Sequence, residues 1–271
     1  AGLTGGGGFG GVSRKYGRTC DRLVSATVVT ADGTSRSVSA SADSDLFWAL
    51  RGGGGGNFGI VTSFTFDTVP APQLTVFLLG FPVGSVPDVL GGWQQWIISM
   101  PDELSANCHI IGGNPPSCTV IGCYIGRASA LNPLLTDLIN RIGSQPTVRT
   151  VTEHGYLDGM RYFAGCSAKS AAECHDQASG RHWNREAFVA SSRVLPAPVA
   201  DLAQIRLVFA GRAVFVTTDG LGARVPLGTS ADYALPYGRD AALHRTYRSS
   251  PQATRQQAGP ASAGVRASGN S

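Results

Sequence analysis

The sequence predicts an α+β protein, an antiparallel sheet with helices gathered on one face. Between residues 74 and 152, apolar runs of strand length alternate with helical stretches in the order strand, helix, strand, strand, helix, strand. β-branched residues alternate on both sides of the turn signal Asp32-Gly33. Glycine accounts for 36 of 271 residues and charged residues for only 15%, which favours loops and close backbone approach over helix bundles.

The elements follow in order. Leu23 to Thr30 and Ser35 to Ala40 read as a hairpin. Ser44 offers an N-cap to a two-turn helix, Asp45 to Leu50, which runs into Arg51 and five consecutive glycines. Gly59 to Val69 alternates as a strand and stops at Pro70-Ala71-Pro72, where a domain boundary is expected. Leu74 to Val83 reads as a strand, and Pro87 to Met100 as a helix spaced through Val89, Leu90, Trp93, Trp96 and Ile97. Leu104 to Ile111 and Cys118 to Ile125 read as paired strands. Leu131 to Ile142 is a helix whose leucines form one stripe, and Thr147 to Thr152 is the next strand. Several short helices are expected from Gly155 to about Ala210, then a strand over Ala213 to Thr218. The domains expected are residues 1–70, 71–228 and a disordered tail, 229–271, poor in groups to bury.

Composition excludes several functions. Hydrophobic residues make up 42% of the chain, enough for a core, and the net charge is only +4. Four arginines after Asp240 (Arg245, Arg248, Arg255, Arg266) supply that excess. The remaining basic residues are scattered, so no nucleic-acid surface is expected. No apolar run reaches the roughly 18 residues of a membrane span, and no signal peptide is visible, so no membrane contact and a cytoplasmic location are expected. The six cysteines are too few and too irregular for a disulfide scaffold. Cys118 and Cys123 read as core residues, whereas the spacing of Cys166 and Cys174 in a loop allows a small disulfide. The five histidines (His109, His154, His175, His182, His244) form no H-x-E or H-E-x-x-H group, so no metal site is expected.

Two glycine clusters carry the chemistry: Gly5-Gly6-Gly7-Gly8-Phe9-Gly10-Gly11 and Gly52-Gly53-Gly54-Gly55-Gly56-Asn57-Phe58-Gly59. A chain without Cβ atoms can approach a flat ring or a diphosphate closely and turn N–H groups toward it. Neither cluster closes with Gly-Lys-Ser or Gly-Lys-Thr, and neither joins a strand to a long helix with an acid about 20 residues on, which excludes a P-loop and a Rossmann site. A flexible turn remains the plain alternative. Arg14 and Tyr16 either face a cofactor or anchor the loop, and Trp93 and Trp96, three apart, read as core.

The string Gly2-Leu3-Thr4, Gly6 to Gly10, Ser13-Arg14-Lys15-Tyr16-Gly17, Val28 to Gly33, Asp45 to Gly52 and Asn57 to Thr62 resembles the later half of the FAD-binding domain of berberine-bridge-enzyme-like FAD-linked oxidases, the vanillyl-alcohol-oxidase or PCMH-type superfamily. A weaker likeness to the family's substrate domain continues through Trp93, Trp96, Pro101 to Leu104, Gly165-Cys166, Glu173 to His175 and Arg185 to Phe188. The resemblance implies the C-terminal half of a PCMH-type FAD domain followed by an α+β substrate domain. It implies FAD held by Gly6, Gly7, Gly8, Phe9, Gly10, Gly53, Gly54, Asn57, Phe58, Gly59, Ile60 and Val61. It also implies hydride transfer from an alcohol, sugar or secondary-metabolite carbon, with oxygen as acceptor. Departures are the family's flavin-tethering His and Cys, expected upstream of Ala1, Gly5 and Gly11 in place of larger apolar residues, Phe9 without a hydroxyl, and an end unlike the family's. The chain is therefore expected to be cut short at both ends, no catalytic base is assigned, and a non-catalytic remnant without flavin is the alternative.

Overall fold

The computed structural model describes residues 2–175, 189–195, 198–202, 214–220 and 243–249. Arg185 to Phe188 and His182, named in the sequence above, lie outside them.

The first sheet has three strands, β1 (Leu23–Val29), β2 (Ser35–Ser39) and β3 (Ile60–Phe66), in the order β2-β1-β3, with both pairings antiparallel. The hairpin turn closes through the Thr30 N–H on the Thr34 carbonyl and the Thr34 N–H on the Asp32 carboxylate, both 3.0 Å. Gly33 takes the positive φ of 78° there. Two four-residue helices, α1 (Gly2–Gly5) and α2 (Ser13–Tyr16), precede this sheet.

Helix α3 (Ser44–Leu50) lays Phe47 and Leu50 on Ala26, Val28 and Val38. Its cap corrects the sequence reading. Ser44 is the first helical residue, and Asp43 precedes it with φ 50°; the Asp43 side chain caps nothing, because Arg36 holds its carboxylate at 3.2 Å.

The second sheet has seven strands in the order β7-β4-β6-β5-β9-β10-β8, every described pairing antiparallel. Its strands are β4 (Leu74–Gly80), β5 (Leu104–Ile111), β6 (Ser117–Ile125), β7 (Val148–His154), β8 (Val189–Leu195), β9 (Val214–Gly220) and β10 (Leu243–Ser249). Helices α4 (Val86–Ile98) and α5 (Ala128–Ile142) cover the face that carries Phe77, Leu79, Cys108 and Val120. Trp93 and Trp96 are both fully buried in that layer, and Trp96 Nε1 donates to the Leu134 carbonyl at 3.0 Å. Each indole contributes on the order of 5 kcal/mol of transfer free energy, at about 200 Å² of apolar area. Helix α6 (Tyr156–Phe163) packs on the opposite face, where a Cβ at Gly159 would lie 2.9 Å from Leu74. The short α7 (Ala171–His175) follows.

Two expectations are corrected. Residues 155–210 hold strand β8 as well as helices, and β10 lies inside the stretch expected to form a disordered tail. Pairing explains the second: β10 lies between β8 and β9, so its backbone groups are satisfied on both sides although it has little apolar mass.

Candidate functional site

Gly7 and Gly8 take φ of 104° and 74°, which turns the first loop back on the 3-10 turn Thr19–Arg22. There the Thr19 N–H donates to the Gly8 carbonyl at 2.9 Å and the Cys20 N–H to the Gly7 carbonyl at 3.0 Å. A Cβ on Gly8 would sit 2.5 Å from the Thr19 side chain, so that position admits glycine alone. Ser13 Oγ accepts the Gly10 N–H at 2.9 Å and sets the exit of the loop.

The second loop leaves α3 through the Gly53 N–H on the Ala49 carbonyl, 2.9 Å, and is drawn tight by Asn57 Nδ2 on the Gly53 carbonyl at 2.8 Å. The Phe58 ring lies against Gly53, where a Cβ would meet it at 2.7 Å. The two loops touch. The Gly54 N–H donates to the Gly5 carbonyl at 2.9 Å, a Cβ on Gly5 would stand 3.0 Å from the Gly55 Cα, and one on Gly55 would stand 2.9 Å from the Gly2 Cα. Gly5, which stands in place of a larger apolar residue, is buried and packed against the second loop.

Two concavities flank this junction. A hollow of about 180 Å³ is walled by Gly5, Gly54, Gly55, Gly56 and Gly59, with Leu50, Ile60, Val61 and Phe64 supplying apolar surface. A cleft of about 490 Å³ runs from Gly8, Phe9 and Gly10 past Tyr16, Arg18 and Arg22 to Tyr156 and Met160 of α6. Of the residues singled out in the sequence, Gly8, Phe9 and Gly10 line the cleft and Gly54, Gly59, Ile60 and Val61 the hollow. Gly6, Gly7, Gly53, Asn57 and Phe58 line neither; the last two, with Gly7 and Gly53, shape the loops. Tyr156 and Met160 were not singled out, because their place depends on α6 folding back over β4, which no local pattern signals. Arg22 is committed, with Nε on the Tyr16 carbonyl at 2.9 Å and NH1 on Asp67 at 3.0 Å.

Arg14 anchors. It is 1% exposed, and its NH1 and NH2 donate to the carbonyls of Ile97 and Met100, at 3.0 and 2.9 Å, where α4 ends. Burial lowers its pKa, and Asp102 opposes that. Lys15 Nζ meets Glu103 at 2.9 Å, and that hydrogen bond raises the lysine's pKa. Behind the cleft, Cys123 donates its thiol to the Gly11 carbonyl at 3.2 Å, and burial pushes its pKa up to about 12. Cys166 and Cys174 are joined as a disulfide. Among the described residues no cluster of His, Cys, Asp and Glu could hold a metal ion, and no helix is long and apolar enough to cross a membrane.

No family model matches the chain. It is 36% identical over 166 residues to the uncharacterized FAD-linked oxidoreductase YgaK of Bacillus subtilis, covering 60% of the chain and 36% of that protein. It is 34% identical over 222 residues to a chitooligosaccharide oxidase of Gibberella zeae, covering 79% of the chain and 41% of that protein. Its fold matches that of Physcomitrella patens BBE-like 1 with a TM-score of 0.85 at 22% identity, over 98% of the chain and 58% of that structure. The chain thus spans between about a third and two fifths of the length of the curated relatives it matches.

Paired glycine loops beside a three-stranded sheet, joined to a larger antiparallel sheet under two helices, are the architecture that the chain shares with Physcomitrella patens BBE-like 1. In sequence the chain is similar to FAD-linked oxidoreductases and to a berberine bridge enzyme-like protein of Arabidopsis thaliana, the latter 29% identical over 200 residues.

Proposed function

We propose that the chain takes part in an FAD-dependent oxidation in which a sugar or other alcohol carbon gives up hydride and oxygen is the final acceptor. One observation carries the reading: both glycine clusters meet, so two stretches of bare main chain border one junction. The residues suit a flavin. No Cβ narrows the hollow beside Gly54 to Gly56, and Ile60 beside it is 73% exposed, an apolar surface that none of the described residues covers. Gly8, Phe9 and Gly10 would face the cofactor from the cleft side, and Gly59, Ile60 and Val61 from the hollow. Gly6, Gly7, Gly53, Asn57 and Phe58 would hold the two loops in register.

When bound, FAD supplies the two-electron chemistry; the chain's part is binding and orientation. Tyr16 and Tyr156 both line the cleft and offer hydroxyls that can hydrogen-bond an alcohol or sugar, while Phe9 and Met160 provide apolar contact. Phe9 can neither give nor take a proton, so it positions only. The relative from Gibberella zeae is a chitooligosaccharide oxidase, which favours an oligosaccharide as the substrate class.

The test is the absorption of the purified chain between about 350 and 500 nm, before and after addition of FAD, followed by anaerobic addition of an oligosaccharide. Flavin bound at one equivalent and bleached by the sugar is the expected result. A colourless chain that takes up no added FAD overturns the proposal and favours the remnant without flavin.

A further inference from the structure

Cys108 and Cys118 lie on adjacent strands of the β5-β6 hairpin. The register sets Cys108 opposite Val120 and Ile110 opposite Cys118, so the two cysteines are diagonal neighbours on one face of the sheet. The right-handed twist of paired strands shortens one of the two diagonals, and here the sulfurs stand 3.3 Å apart. A disulfide needs about 2.05 Å, so closing the gap asks for a movement of little more than 1 Å. Both side chains are buried in the layer beneath α4 and α5, at 0% and 2% exposure. Cys20 and Cys123 differ: Cys20 lies beside the Asp21 carboxylate and Cys123 points to the Gly11 carbonyl.

We propose that Cys108 and Cys118 are a redox pair that closes to a second disulfide and ties β5 to β6. The thiolate of one cysteine attacks a small-molecule disulfide, forming a mixed disulfide and releasing one thiol. The thiolate of the other then attacks the protein sulfur of that mixed disulfide, so the Cys108 to Cys118 bond forms and a second thiol leaves. Two cysteine thiols lose two electrons and two protons, and the incoming disulfide gains both. The exchange belongs to the period before α4 and α5 cover the hairpin, because afterwards neither sulfur can be reached. Hairpin pairing over only ten residues of separation brings the two together early.

The fragment from Gly52 to Arg127 has no internal Lys or Arg and holds three cysteines, Cys108, Cys118 and Cys123. The full chain is refolded in a buffer of reduced and oxidised glutathione, unfolded in guanidinium with iodoacetamide and no reductant, digested with trypsin and weighed. The expected fragment carries one carbamidomethyl group and is two hydrogens lighter than its sequence. The same fragment from Cys123→Ala carries none. Three groups on the wild-type fragment overturn the proposal, as does a Cys123→Ala fragment with any group attached, since Cys123 would then be the bonded partner or the pair would be open. Glutathione retained on either Cys108 or Cys118 overturns it as well.

Discussion

The N–H of Gly54 donates to the carbonyl of Gly5 across 2.9 Å, which fastens the loop after α3 to the loop before α2. Nearly 50 residues of hairpin, helix and turn separate these two positions in the chain. Their contact is what converts two flexible-looking glycine runs into one surface.

Two glycines on that surface separate fold from cofactor binding. At Gly55 an added Cβ would stand 2.9 Å from backbone, so Gly55→Ala forces the loops apart and costs about 1–3 kcal/mol by the usual scale of overpacking. At Gly10 a Cβ meets nothing within 4 Å, and the residue does not use positive φ. Gly10→Ala should therefore leave the urea midpoint unchanged while weakening FAD binding about tenfold, or about 1.4 kcal/mol, if flavin covers that position. Urea titration and FAD fluorescence quenching on both variants check this. Equal FAD affinity in Gly10→Ala and wild type would remove Gly10 from the cofactor surface.

The sequence disclosed much of the fold for a physical reason: β1, β2, β4, β5, β6 and α3 to α5 bury apolar positions that their local patterns mark, whereas β3 and β7 bury no residue fully and are placed by pairing with β1 and β4. Strand β10 escaped because its seven residues earn their place through hydrogen bonds to two neighbours rather than through apolar mass. The glycine loops were legible as loops, but their contact is a long-range fact that no spacing encodes. Tyr156 and Met160 were hidden likewise, since only packing of α6 on β4 brings them to the cleft.

Arg14 joins the first loop to the larger sheet's helical layer. Its guanidinium supplies the donors for two carbonyls at the end of α4, and Arg14→Ala leaves both without that partner, the Ile97 carbonyl in a buried setting and the Met100 carbonyl in a half-buried one. The loss should be about 2–4 kcal/mol of stability, read as a lower urea midpoint. Arg14→Lys keeps the charge but reaches only one carbonyl, so its midpoint should fall between the two. A midpoint for Arg14→Ala within error of wild type would show that this joint contributes nothing.

Stability at alkaline pH should report the buried thiol behind the cleft. Burial raises the pKa of Cys123 from an ordinary 9.0 to about 12, whereas in the unfolded chain the thiol keeps its ordinary value. The folded state therefore holds a proton that the unfolded state has released between those two values. Unfolding gains about 1.4 kcal/mol per pH unit from this group across that window, so its stabilising contribution is whole below pH 9 and is lost as pH rises toward 12. Other groups titrate there too, and the comparison with Cys123→Ala isolates this one. Urea midpoints measured from pH 8 to pH 11 should fall more steeply for wild type than for the variant. Parallel slopes for the two proteins would mean that the thiol ionises as freely in the folded chain as in the unfolded one.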